Sequence, residues 1–240
     1  MNVLDLFSGI GGFSLGLEAA GMHTVAFCER EPFCQAILKK HWPEIPCHDD
    51  IKTLDGKQYR GIDVVCGGYP CQPFSVAGKQ LGHEDERHLW PEMLRIIQGC
   101  KPRWVVAENV AGHIKLGFDE VAASLEAEGF AVWPFVIPAC AVGAPHRRDR
   151  VWIIANAKRG NAKELGIQQK PLHYARTKTS IRPLHVCDNV LGWPFESRIL
   201  RSIDGIPQGS HRLKALGNAI VPQIAQIIGE AIMTYEEKNV

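Results

Sequence analysis

The strongest constraint on the fold is a strand, a glycine turn and a helix packed into the first twenty residues. Val3–Phe7 is a short apolar run of the buried-strand kind, and Gly9, Gly11 and Gly12 break it. Phe13, Leu17 and Ala20 then recur at helical spacing until Gly21 stops the run. The alternation continues along the chain. Thr24–Cys28 reads as a second strand, and Pro32 opens a helix where its missing N–H costs nothing. Ile62–Cys66, Trp104–Ala107, Ala131–Ile137 and Val151–Ala155 are further strands, with helices over Pro91–Gln98 and Phe118–Glu128. Strands alternating with helices predict an α/β fold: a doubly wound, mostly parallel sheet with helices on both faces. After Asn156 the periodicity is lost among prolines, glycines and basic residues, and it returns over Ala219–Ile232. The expected organisation is one main domain, 1–156 with 213–240, interrupted by a short inserted segment, 157–212.

Composition narrows the class. Apolar residues make up 45% of the 240 and charged residues 22%, a balance that supports a sizeable core. No apolar run approaches the roughly 18 residues of a membrane helix. The opening MNVLDLFSGIGG has neither a basic leader nor a cleavage site, so a cytoplasmic protein away from membranes is expected. Eight cysteines occur without a CxxC pair, which predicts neither a zinc ribbon nor a disulfide framework, and no metal is expected. Net charge is only +1, but between Lys158 and Arg182 seven basic residues face a single acid, Glu164. That segment suits either a phosphate backbone or a solvated loop.

Four places carry chemistry. The glycine turn 9–12 lets the backbone approach a ligand closely, and the helix N-terminus behind it favours negative groups. Glu29 ends the second strand, where an acid in such folds often accepts from ribose hydroxyls. Asp50 could accept from an adenine amino group, and together these point to a nucleoside cofactor. Cys71 stands in Gly67-Gly68-Tyr69-Pro70-Cys71-Gln72-Pro73-Phe74-Ser75, just past the end of a strand. A cysteine between prolines on a glycine-rich loop suits reactivity better than packing. Glu108, in Glu108-Asn109-Val110, follows another central strand and is either a partner to that loop or a helix N-cap acid. In His146-Arg147-Arg148-Asp149-Arg150, strand alternation puts Arg148 and Arg150 on one face, to hold a carbonyl or phosphate, or else to form a salt-bridged strand edge with Asp149.

In this order, with Leu216-Gly217-Asn218-Ala219-Ile220-Val221-Pro222 near the end, these segments resemble the DNA cytosine-5 methyltransferase family. The resemblance spans most of residues 1–155 and about the last 30. It implies a class I, Rossmann-like domain that uses S-adenosylmethionine and takes double-stranded DNA as its partner. It further implies that Cys71 adds to carbon 6 of a flipped cytosine, Glu108 holds N3 and the exocyclic amine, and Arg148 and Arg150 lie near the base carbonyl and the thiolate. Phe7, Gly9, Ile10, Gly12, Glu29, Asp50, Ile51, Pro70, Leu89 and Asn218 would surround the cofactor, and Ser75 the target base. The inserted segment would be the target-recognition region, short for that task. A monomer is expected, since one flipped base needs one pocket, working in restriction–modification or phage DNA protection.

Two residues depart from the family pattern. Gln is usual where His146 stands, and an aromatic residue often follows the acid equivalent to Glu29, where Arg30 stands here. Three rivals remain at this stage. The same apparatus could act on cytosine in tRNA, although Tyr174 is the only aromatic besides histidines in the basic segment 158–182. A non-catalytic DNA-binding relative would not need Cys71 and Glu108. An amino-group methyltransferase would carry an Asp/Asn/Ser-Pro-Pro-aromatic loop, which Gly68-Tyr69-Pro70-Cys71 fits poorly.

Overall fold

The computed structural model describes residues 1–70, 89–157 and 215–239. These form one seven-stranded sheet: β1 (Asn2–Leu6), β2 (His23–Cys28), β3 (Cys47–His48), β4 (Val64–Gly67), β5 (Trp104–Val110), β6 (Phe130–Pro138) and β7 (Asp149–Ala157). The strand order is β3-β2-β1-β4-β5-β7-β6. Strands β3, β2, β1, β4 and β5 pair in parallel, while β7 runs antiparallel to both its neighbours. The expected doubly wound, mostly parallel sheet is present. The helices are α1 (Gly12–Ala19), α2 (Pro32–His41), α3 (Trp90–Cys100), α4 (His113–Leu116), α5 (Phe118–Ala127) and α6 (Pro222–Lys238).

Alternation along the central strands divides the core. Leu4, Leu6, Val65, Val105 and Ala107 face one side, where they bury Met93, Ile96 and Ile97 of α3 and Leu125 of α5. Val3, Val64, Val106 and Trp152 face the other, against Phe13 and Leu17 of α1 and Ile224, Ile228 and Ile232 of α6. Each large apolar side chain so buried contributes roughly 1.5–3 kcal/mol. The C-terminal helix therefore completes a face of the sheet begun by the N-terminal unit. It is also pinned by charge: Glu236 accepts from the Trp104 indole and pairs with Arg103, which also holds Asp63.

Several boundaries differ from the sequence expectation, each for a physical reason. The last helix starts at Pro222 rather than Ala219, because proline is favoured in a first turn. A separate helical turn occupies 215–218 before it. Strand β5 runs on through Glu108, Asn109 and Val110, because pairing with β7 continues to Val110↔Arg150. Strand β3 has only two residues, too few to show periodicity. The expected inserted segment 157–212 lies, apart from Ala157, outside the described residues.

Candidate active site

The parallel strands β1, β2, β4 and β5 all end at one edge of the sheet. Between β1 and β4 the order of connection reverses, and ligands of open α/β sheets bind in the crevice such a reversal leaves. The β1 turn fills one side of that crevice. Phe7 takes a left-handed backbone (φ 52°), followed by Gly9 (φ 55°) and Gly11 (φ 87°), which ends the turn as the N-cap of α1. The Ser8 hydroxyl donates to the Asp5 carbonyl (2.6 Å), and the Ser8 amide donates to the Cys28 carbonyl (3.1 Å). The turn is thereby tied to both β1 and β2.

Glu29, directly after β2, is held on both oxygens: one accepts from the Gly9 amide (2.7 Å), the other from the Glu31 amide (2.7 Å). Gly9 and Glu29 are thus in contact, as a shared cofactor cradle requires. Beyond Gly9 a Cβ would meet nothing within 4 Å, so this turn opens onto free space. Gly12 is different. A Cβ there would lie 2.8 Å from the Ile220 carbonyl, so glycine at this position leaves room for the segment around Ile220. Ile51 is buried in the core, and its carbonyl goes to Arg95 (2.6 Å). Arg95 also takes the Leu54 carbonyl (2.8 Å) and is itself held by Glu92 (2.8 Å). This guanidinium fastens the Asp50–Leu54 loop to α3. Sequence reading passed over Arg95, since an arginine on an amphipathic helix has no distinguishing signal.

Asp5, in the middle of β1, is fully buried beneath the turn. One of its oxygens accepts from the Ser14 hydroxyl (2.7 Å), which ties β1 to the first turn of α1, while the other has no hydrogen-bond partner. Burial pushes its carboxyl up to about 7, partly offset by Ser14 and the Cys66 thiol. A folded-state value above the unfolded one means that the native state holds the proton more tightly. Its stabilising contribution is complete below about pH 4 and is lost as pH rises through about 7. Asp5→Asn is therefore expected to flatten the decline in melting temperature between pH 4 and 8. The flattened portion corresponds to about 4 kcal/mol, at 1.36 kcal/mol per unit between 3.8 and about 7. An unaltered slope in the variant's thermal denaturation series would contradict this.

The acid and the arginines meet on the far side of the crevice. Arg150 lies on β7 and its Nε sits 3.0 Å from Glu108 Oε1 of β5, both side chains largely buried. Burial pushes the Glu108 carboxyl up to about 7, against the opposing pull of Arg150 and then Arg148. Arg148 does not reach this place by strand alternation, because β7 begins only at Asp149. It has a left-handed backbone (φ 40°), and its guanidinium donates to the Gly217 and Ala219 carbonyls (2.8 and 2.9 Å). Burial lowers its pKa, as does Arg150, while Glu108 opposes this. Arg147 pairs with Asp149 (3.0 Å), so the strand-edge salt bridge belongs to Arg147 instead.

The glycine loop after β4 comes to the same point. At Gly68 a Cβ would lie 3.4 Å from Glu108 Oε2 and 3.5 Å from Ile220 Cδ1. Three chain segments distant in sequence, at 68, 108 and 220, touch there. Pro70 and Asn218 are exposed and Leu89 is partly buried at the start of α3, while the departures Arg30 and His146 are both exposed. Cys71 and Ser75 lie outside the described residues. Asn109, to which the sequence alone assigned no role, donates from Nδ2 to the Tyr69 carbonyl (3.1 Å) and so braces the chain just before Cys71.

A family model for C-5 cytosine-specific DNA methylase matches residues 1–188. The chain belongs to this family. Among curated relatives, the Type II methyltransferase M.HgiCII of Herpetosiphon aurantiacus is 37% identical over 175 residues, 70% of this chain and 37% of its own. The Type II methyltransferase M.HhaI of Haemophilus parahaemolyticus is 35% identical over 159 residues, 64% of this chain and 48% of its own. A crystal structure of a Spodoptera frugiperda DNMT2 mutant superposes with a TM-score of 0.56 at 25% identity, covering 65% of this chain and 49% of that one. This methylase-family chain thus spans between a third and a half of the length of such relatives. Among the described residues there is no group of three or more His, Cys, Asp or Glu suited to a metal, and no helix is long and apolar enough to cross a membrane.

Proposed function

We propose that the protein methylates carbon 5 of cytosine in double-stranded DNA, using S-adenosylmethionine and a covalent adduct to Cys71. The observation that carries this reading is the meeting of Gly68, three residues before Cys71, with a buried Glu108 whose carboxyl is half protonated near neutral pH. Carbon 5 of cytosine is a poor nucleophile. Attack of the Cys71 thiolate on carbon 6 moves the C5–C6 electron pair toward carbon 5, and the ring needs a proton at N3 to accept that charge. A Glu108 held near pH 7 can donate it, because a general acid works best when its pKa matches the operating pH. Arg150 fixes that carboxyl in place, and Arg148 adds positive field near the thiolate and the base carbonyl. Loss of the carbon-5 proton and expulsion of the thiolate then restore the ring. The base must leave the duplex stack to reach these groups.

The residues at the β1 turn fit the cofactor. Gly9 opens onto free space beside Glu29, whose carboxylate suits ribose hydroxyls, and Phe7, Ile10, Asp50, Ile51 and Leu89 border the same end of the sheet. When bound there, S-adenosylmethionine supplies an electrophilic methyl group. The work is expected to be done by a cytoplasmic monomer, with host or phage DNA as the partner to be protected.

Duplex DNA carrying 5-fluorocytosine in a randomised pool, incubated with S-adenosylmethionine, tests the reading on a denaturing gel. Fluorine cannot leave as a proton does, so a covalent protein–DNA band is expected, and sequencing its DNA returns the target site. Absence of a band together with methylation of tRNA would replace DNA with RNA as substrate.

A further inference from the structure

Tyr69 stands two residues before Cys71, on the short link between β4 and the proposed nucleophile, and it is tied down from three directions. Its hydroxyl lies 2.7 Å from Nε2 of His113, a buried pair bridging the exits of β4 and β5. Its ring packs on Trp90 of α3 with centroids 5.0 Å apart, and Trp90 in turn donates to Ser124 of α5 (3.0 Å). Its carbonyl accepts from Asn109. Ring and main chain of one residue are thus fixed to two helices and to the strand that carries Glu108.

His113 is as closely confined. Only 7% of it is exposed, at the start of α4, and a Cβ at Gly117 would come within 2.7 Å of its Cε1. The ring therefore lies against the backbone at position 117, and glycine there leaves it that room. An apolar pair would fill the same volume. A hydroxyl–imidazole pair adds direction, because a hydrogen bond weakens steeply once its angle departs from linear. In a buried site, where the local dielectric is low, such a bond is stronger than in water.

We propose that His113 is a positioning residue: through its hydrogen bond to Tyr69 it sets the direction in which the chain leaves β4 toward the proposed nucleophile, two residues on in sequence, and so the rate at which the adduct forms. This rests on Cys71 being the nucleophile. A misplacement of about 1 Å at a reacting atom costs on the order of 10²-fold in rate. Pro70, proposed at the cofactor, and Ser75, proposed at the target base, stand close to Cys71 in sequence, so both affinities are measured beside the rate.

The experiment compares wild type with Tyr69→Phe, His113→Gln and His113→Ala on 5-fluorocytosine duplex, measuring single-turnover adduct formation, DNA and S-adenosylmethionine affinity, and melting temperature. Tyr69→Phe keeps the ring against Trp90 and removes only the hydroxyl. It is expected to slow adduct formation about 10- to 100-fold with both affinities within about twofold of wild type. His113→Ala is expected to do the same, and His113→Gln, which keeps a hydrogen-bonding group, to recover part of the rate. The role is overturned if wild type forms the adduct and Tyr69→Phe forms it equally fast, or if the variants lower the melting temperature alone. A wild type that forms no adduct at all would instead overturn the nucleophile reading, and this role with it.

Discussion

Cys71→Ala is expected to leave a folded protein that still binds S-adenosylmethionine and duplex DNA but transfers methyl groups on the order of 10⁴- to 10⁶-fold more slowly, as loss of a covalent nucleophile does in other enzymes. The size of the effect follows from the substrate. Without addition at carbon 6, carbon 5 has too little electron density to attack a sulfonium methyl at a useful rate. Five of the six described cysteines are poor substitutes. Burial pushes the Cys28 and Cys100 thiols up to about 12 and the Cys66 thiol well above its ordinary value, so none of the three supplies thiolate near neutral pH. Cys34 is buried, and Cys47, though exposed, is also shifted upward. Incorporation of a labelled methyl group, read beside the melting temperature, separates lost chemistry from lost folding. Retention of more than about a tenth of wild-type turnover in Cys71→Ala would remove the nucleophile from this position.

The second large effect belongs to Glu108. Glu108→Gln keeps the side chain's size and its ability to face Arg150, but it cannot release a proton. Turnover is expected to fall by about 10²- to 10⁴-fold, the usual weight of a general acid, while the Michaelis constant for DNA moves only a few-fold. The pH dependence sharpens the test. Protonated Glu108 is the form that donates, so wild-type activity should be lost as pH rises through about 7, and this alkaline limb should disappear in the variant. The shift also has a direct cause to manipulate. Burial raises the value and Arg150 opposes it, so Arg150→Met should move the limb to higher pH. A limb that persists unchanged in Glu108→Gln would belong to another group.

The chain order of strands and helices was legible because local patterns carry it. Val3–Phe7, the glycines at 9–12 and the Phe13–Leu17 spacing match β1, its turn and α1 to within a residue. Glu108 and the arginines could likewise be singled out, since charged residues at strand ends are conspicuous. What could not be read were relations between distant segments. The hydrogen bond from Tyr69 to His113 spans 44 positions, and so does that from Arg95 to the Ile51 carbonyl. The need for hydrogen in place of a side chain at Gly12 comes from Ile220, more than 200 residues away. Arg148 was expected to follow the alternation of its strand, but it stands one residue before β7 with a left-handed backbone and its guanidinium on the Gly217 and Ala219 carbonyls.

Phe7 has a consequence for anyone wishing to harden this protein against heat. A phenylalanine held at φ 52° carries a conformational cost on the order of 1–3 kcal/mol that glycine would not. Glycine at position 7 would relieve that strain but give up the packing of the ring against the core, a loss of comparable size. A library ranked by heat resistance would therefore tolerate either residue here, and ranking by ligand capture is what separates them.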